Sequence, residues 1–144
     1  MKVLFKKSHP LAKLPSYESE GAAGADVRSV ERLTLYPGQH MLVSTGLSCC
    51  IPAGYELQVR PRSGLAYKKG VTVLNAPGTI DSDYKGLLGV LLINHGDDLF
   101  VVEPGDRIAQ IVVAPVIQAE FDYTEDVGES ERGAGGFGST GVSA

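Results

Sequence analysis

The stretch Asn75-Ala-Pro-Gly78-Thr79-Ile80-Asp81-Ser-Asp83-Tyr84-Lys-Gly86 gathers two carboxylates and an aromatic ring into a turn ahead of an apolar run. Such a concentration is a candidate for chemistry, and it is equally the vocabulary of an ordinary turn, because Asn and Asp readily form one. Pro61-Arg62-Ser63-Gly64 falls where a strand ends and one or two helical turns could begin. A guanidinium fork, a hydroxyl and the open N–H groups of a helix start suit an anionic oxygen. A capped turn with a solvated arginine accounts for the same residues. Gly21-Ala-Ala-Gly24-Ala-Asp26 sets a carboxylate in a bend of small residues, which a simple turn also explains. Arg132-Gly-Ala-Gly-Gly-Phe137-Gly138-Ser-Thr-Gly141 holds one guanidinium and one ring among five glycines. Backbone of that kind can wrap phosphates, and the ring can stack on a base. It is also the composition of a floppy terminus. It is not a Walker P-loop, because the Gly-Lys-Ser/Thr ending is absent.

Other chemistries find no footing. Cys49 and Cys50 are the only cysteines, adjacent to each other, and His9, His40 and His95 are isolated. Neither a spaced disulfide framework nor a Cys/His metal site follows from that distribution. Thirteen Lys and Arg against seventeen Asp and Glu give a net charge of −4, the wrong sign for a protein that grips nucleic acid. The basic start Met1–Lys7 lacks the apolar stretch of ~7–15 residues that a signal peptide carries. Runs such as Leu87–Ile93 fall far short of the ~20 residues that cross a bilayer. The expectation is a soluble protein without membrane partners, cytoplasmic or, in a eukaryotic cell, nuclear.

Positioning these residues falls to short strands. The 144 residues fit one domain. Glycine, 18 of the 144, exceeds the usual ~7% and calls for many turns or for backbone held close to a ligand. Turn signals at Tyr36–Gln39, Pro52–Gly54, His95–Asp98 and Glu103–Asp106 separate segments rich in β-branched residues. Strands are predicted over Val3–Lys6, Leu33–Leu35, His40–Ser44, Leu47–Ile51, Tyr55–Arg60, Val71–Leu74, Leu87–Asn94, Leu99–Val102, Arg107–Ala114 and Gln118–Phe121, with a helical turn around Gly64–Lys69. Leu88, Val90, Leu92, Ile108, Ile111 and Val113 are expected in the core or between subunits. Strands without long helices predict an all-β domain, a β-barrel or jelly roll over residues 1–124. From Glu125 the chain turns acidic and then glycine-rich, so residues 125–144 are expected to form a flexible arm.

Taken in order, Gly24-Ala-Asp26-Val, Pro61-Arg-Ser-Gly-Leu-Ala66, Asn75-x-x-Gly78-x-Ile80-Asp81-x-Asp83-Tyr84-x-Gly86, Gly105-Asp-Arg-Ile-Ala-Gln110 and Arg132-Gly-x-Gly-Gly-Phe137-Gly-Ser-Thr-Gly141 form a pattern. The chain, from Lys2 to Gly141, closely resembles the homotrimeric dUTPases, whose five motifs these are. Any one motif is a weak signal; five in this order are specific. Thr79 stands where a bulkier apolar residue is frequent, at a place where the family uses backbone atoms.

The resemblance implies a reaction and a cast. The family hydrolyses dUTP to dUMP and pyrophosphate by water attack on the α-phosphorus, which keeps uracil out of DNA and supplies dUMP for dTMP synthesis. By the resemblance, Asp81 activates the water, as a carboxylate can. Residue types alone do not separate it from Asp83, which would face the same way in a regular strand. Arg62, Ser63 and Gly64 match the phosphate-binding segment, Gln110 the amide near the α-phosphate, and Arg132 the arginine that closes on the γ-phosphate. Mg²⁺ is implied as the cofactor, held mainly by phosphates, with Asp26 holding one of its waters. Asn75, Gly78, Thr79 and Ile80 match the hairpin that reads the uracil edge, with Gly89 on the strand that follows. Tyr84 would lie against the deoxyribose, Phe137 would stack on uracil, and Gly138 would let the backbone follow the ligand. The implied partners are dUTP and two further copies of the chain, with active sites shared between subunits. Two alternatives remain at this point: a dCTP deaminase-like enzyme on the same fold, and a non-catalytic nucleotide-sensing trimer. The first requires a proton-transferring glutamate where this chain has Leu91; intact Asp81, Gln110 and Arg132 speak against the second.

Overall fold

Segments of three to nine residues between Pro–Gly and Gly–Asp turns leave room for little but strands. The computed structural model describes residues 1–141, and among them are eleven strands and one helix. In chain order these are β1 (Leu4–Lys7), β2 (Ala25–Arg28), β3 (Leu33–Leu35), β4 (His40–Ser44), β5 (Leu47–Cys50), β6 (Tyr55–Arg60), α1 (Ser63–Lys69), β7 (Val71–Val73), β8 (Gly78–Ile80), β9 (Gly89–Asn94), β10 (Phe100–Val102) and β11 (Arg107–Pro115). All pairings are antiparallel: β1 with β5, β3 with β10, β4–β9–β7, and β2–β11–β6–β8. The expected all-β class is what the fold shows.

One core joins these sheets. Leu35, Leu57, Leu92 and Ile108 are its largest fully buried side chains. β6 shows how alternation feeds it. Leu57 and Val59 point inward, while Glu56, Gln58 and Arg60 form a hydrogen-bonded row on the other side. Leu88, Val90, Leu92, Ile108 and Ile111 are buried as expected, and Val113 packs against the same cluster. α1 ends at Gly70, which adopts a left-handed conformation at φ 66° and returns its N–H to Ala66 and Leu65. Lys68 and Lys69 in its last turn complement the helix dipole.

Four expectations need correction. Ala25–Arg28, read as the end of a bend, is a strand, three of whose four residues are buried. Gly78–Ile80 is a strand inside the hairpin, paired with β6. The strand expected from Leu87 begins at Gly89, and Leu87 itself lies exposed. Gln118–Phe121 forms no strand: it finds no partner among the described residues, and the flanking Ile117 and Tyr123 are exposed together with Phe121. Beyond Pro115 the described residues contain turns but no strand or helix. Residues 142–144, the end of the expected arm, lie outside the described residues.

Candidate functional site

β2 and β11 carry the first half of the site. Asp26 is 1% exposed, and a carboxylate removed from water in this way needs donors on its oxygens. It has three. Gln110 donates from Nε2 to Oδ1 at 3.0 Å, Arg62 Nε lies 3.3 Å from Oδ1, and Arg107 Nη1 lies 3.2 Å from Oδ2. Arg62 also donates from Nη1 to the Arg107 carbonyl at 3.3 Å, which ties the start of α1 to the start of β11. Gly24 makes the approach of Gln110 possible: a Cβ there would come within 3.1 Å of the Gln110 Cβ and 3.2 Å of its Oε1. Ser63 and Gly64 form the first turn of α1, which has no side-chain cap, so the capped-turn reading of this segment does not hold.

Three members of this cluster escaped the sequence reading. Arg107 stood in a quoted motif without a role, and Glu18 and Arg28 stood in none. Glu18 pairs with Arg107 at 3.1 Å and with Arg28 at 3.5 Å. Alternation within β2 was the available signal for Arg28, two residues after Asp26. For Glu18 there was none, because it reaches the cluster from a loop.

The second half of the site is the hairpin. Thr79, Ile80, Asp81, Tyr84 and Gly89, five of the expected substrate-binding residues, line one cavity of about 240 Å³ with Leu42, Leu87 and Leu88. Asn75 lies beside it, its amide against Gly78. The Tyr84 hydroxyl donates to the Leu87 carbonyl at 3.0 Å, so the ring spans the loop. It does so across Gly86, where a Cβ would come within 2.6 Å of Tyr84 Cζ. A second cavity of about 560 Å³ is lined by Glu56, Asp81, Ser82 and Asp83 among others. Asp81 borders both cavities and Asp83 only the second, because β8 stops at Ile80 and a turn follows. Neither carboxylate has an ion-pair partner among the described residues. A larger hollow of about 640 Å³ beside β1 is lined by Leu4, Leu14, Ile111 and Val113, without an acidic or basic side chain.

One chain keeps the two halves apart. Ile80 pairs with Leu57, which sets Asp81 beside Glu56, whereas Gln110 pairs with Arg60. From Glu56 to Arg62 are six residue steps, on the order of 20 Å along an extended strand. Arg132 and Phe137 join neither half: Arg132 donates from Nε to the Gly135 carbonyl at 2.8 Å, and Phe137 is fully exposed. Phe137 and Gly138 take positive φ, 50° and 84°.

No group of three His, Cys, Asp or Glu among the described residues could hold a metal ion directly. Asp26 keeps about one of its four acceptor positions, which fits a contact through water and no closer one. Burial pushes the Cys49 thiol above its ordinary value, with Lys85 opposing and Cys50 adding to the shift, so Cys49 is an inert strand residue.

Residues 11–141 match the family model described as dUTPase. The chain is 54% identical to a deoxyuridine 5'-triphosphate nucleotidohydrolase of Nautilia profundicola, over 98% of this chain and 99% of that one. It is 58% identical to the protein of the same description from an Anaeromyxobacter species, over 92% and 90%. Among solved structures it superposes on a Staphylococcus bacteriophage 80alpha dUTPase, the G164S mutant with dUpNHpp, with a TM-score of 0.89 at 28% identity, covering 98% of this chain and 99% of that one.

Proposed function

The chain belongs to the dUTPase family, and from that premise we propose how it hydrolyses dUTP to dUMP and pyrophosphate: at a site assembled from more than one subunit of a homotrimer. One observation carries this reading. Asp81 lies past the Glu56 end of β6 while the cation cluster around Asp26 lies at its Arg60 end, and phosphoryl transfer needs both on one substrate.

In the assembled site the hairpin receives the nucleoside, with Asn75 and the backbone of Gly78, Thr79 and Ile80 on the uracil edge and Gly89 beneath. A cytosine there would invert donor and acceptor at two positions, leaving buried groups unpaired at ~1–3 kcal/mol each. Tyr84, held by Leu87, fills the space a 2′-hydroxyl needs. Asp81 orients a water at the α-phosphorus and takes its proton. Arg62, Ser63 and Gly64 of another subunit hold phosphate oxygens, where fixed positive charge meets the charge of the transition state. Gln110, donating through Nε2 to Asp26, presents Oε1 as an acceptor, the polarity that holds a water. Mg²⁺ bound to the phosphates would neutralise their charge, with Asp26 reached through one of its waters. Arg132 and Phe137 close over the γ-phosphate and the base, and Gly138 lets the backbone follow.

No helix among the described residues is long and apolar enough to cross a membrane. The test is incubation with dUTP and, separately, dCTP. Pyrophosphate and dUMP from dUTP alone are the expected result. Deamination of dCTP, or dUTP binding without turnover, would overturn the reading. Leu91 of β9 cannot move a proton, which disfavours the deaminase.

A further inference from the structure

We propose that Glu18 is a positioning residue for the phosphate half of the site and that it acts through Arg107. Arg28 and Arg107 are direct partners across β2 and β11, and like charges in that relation repel. Glu18 bridges them, with Oε1 3.5 Å from Arg28 Nη2 and Oε2 3.1 Å from Arg107 Nη1. Its loop is fastened to the same strand: Ser16 and Asp26 exchange backbone hydrogen bonds of 3.2 and 2.8 Å, and Ser16 Oγ donates to Glu18 Oε1 at 2.8 Å.

The consequence reaches Asp26. A guanidinium left to itself closes on a carboxylate as a two-pronged fork. Here one nitrogen, Nη1, serves both Glu18 and Asp26 Oδ2, which leaves Oδ1 to Arg62 Nε and Gln110 Nε2. Without Glu18, Arg107 turns its fork onto both oxygens of Asp26 and displaces Arg62 and Gln110. Half-exposed at 46%, Glu18 adds little to stability. Its effect is on where two other side chains point.

This rests on the reading of Arg62 and Gln110 as the phosphate-binding side, so the experiment has two arms. In the first, Glu18→Ala in the full chain is compared with the unaltered protein for the Arg62 Nε–H signal in ¹⁵N spectra, with no substrate present. That signal should shift and exchange faster with water; an unchanged signal would overturn the proposal whatever the enzyme does. In the second, Glu18→Ala should raise both the KM for dUTP and the inhibition constant of pyrophosphate about fivefold, the weight of one weakened hydrogen bond. Inhibition by deoxyuridine, which needs only the hairpin, should not change. In an Arg107→Gln background, Glu18→Ala should have no further effect on pyrophosphate inhibition, because the competitor for Asp26 is already gone. Effects that simply add would mean that Glu18 does not act through Arg107. An unaltered protein that fails to turn over dUTP would remove the functional reading and leave the first arm intact.

Discussion

Gln110 and Asp26 stand directly opposite each other on β11 and β2, and the Gln110 amide donates to Asp26 Oδ1 across 3.0 Å. That bond makes a buried carboxylate the pivot of the phosphate half. Arg62 arrives from the start of α1 and Arg107 from the start of β11, the first aimed by Oδ1 of Asp26 and the second by its Oδ2. Three arginines against Asp26 and Glu18 leave the cluster one positive charge in excess. A bound anion therefore meets an orientation already set, rather than loose side chains that must be ordered on binding.

Asp26→Asn should destabilise the fold. The amide puts donors where Arg62, Arg107 and Gln110 already donate, and removes the charge that offsets two guanidiniums. Breaking a fully buried pair costs ~3–5 kcal/mol. The Arg62 and Arg107 side chains are 26% and 37% exposed, so water offsets part of the loss. An expected cost of about 2–3 kcal/mol remains after that discount. Urea unfolding measures it, and an unshifted midpoint would show that Asp26 is not the pivot.

Asp81→Asn should keep the fold and dUTP binding while removing most turnover. Amide and carboxylate are nearly the same shape, and Asp81 has no ion-pair partner to lose among the described residues. Only the carboxylate can accept the proton of water, a role worth ~10²–10⁴-fold in rate. Near-normal kcat in the folded variant would remove Asp81 from the chemistry.

Tyr84→Ala should relax the rejection of ribose, read as kcat/KM for dUTP over that for UTP. The ring does two things here, filling space beside Asp81 and holding Leu87 through its hydroxyl. Tyr84→Phe separates them, since it keeps the ring and gives up the bond. Discrimination retained in Phe and lost in Ala assigns the role to the ring. Equal loss in both would assign it to the anchored loop.

What could be read from the chain beforehand follows its regularities. β4 and β6 were legible at their true bounds, β6 through clean alternation and β4 as a short apolar-centred segment between turns. β2 was not, because its Asp is depleted in strands and its Ala-Asp-Val-Arg alternation spans only four residues. The expected strand at Gln118–Phe121 has the right residues and no partner among the described residues. Arg107 and Gln110 illustrate the limit within the site. Three residues apart, they would face opposite ways on a regular strand. The register shifts between Arg107 and Ala109, and this irregularity brings both to Asp26. No pattern of residue types announces such a shift. Asp81 and Asp83 illustrate the converse. Their spacing implied one face of a strand, but the strand stops one residue short, and the turn gives only Asp81 access to both cavities.

The arm of one subunit should complete the active site of another. Arg132 and Phe137 meet neither half of the site within the chain, and nothing between Pro115 and Gly141 forms a strand or helix. From Ala119 to Phe137 are eighteen residue steps, a reach of up to ~60 Å when extended. A domain of this size has a radius of gyration near ~15 Å, so a neighbour lies well within range. Two inactive parents test this: Asp81→Asn with an intact arm, and unaltered Asp81 in a chain ended after Glu131. Co-expressed, they form mixed trimers in which some sites join a sound Asp81 to an arm from elsewhere, and activity should return. An arm that served only its own subunit could never unite the two parts. Mixed trimers confirmed by mass spectrometry yet no more active than the parents would refute donation between subunits.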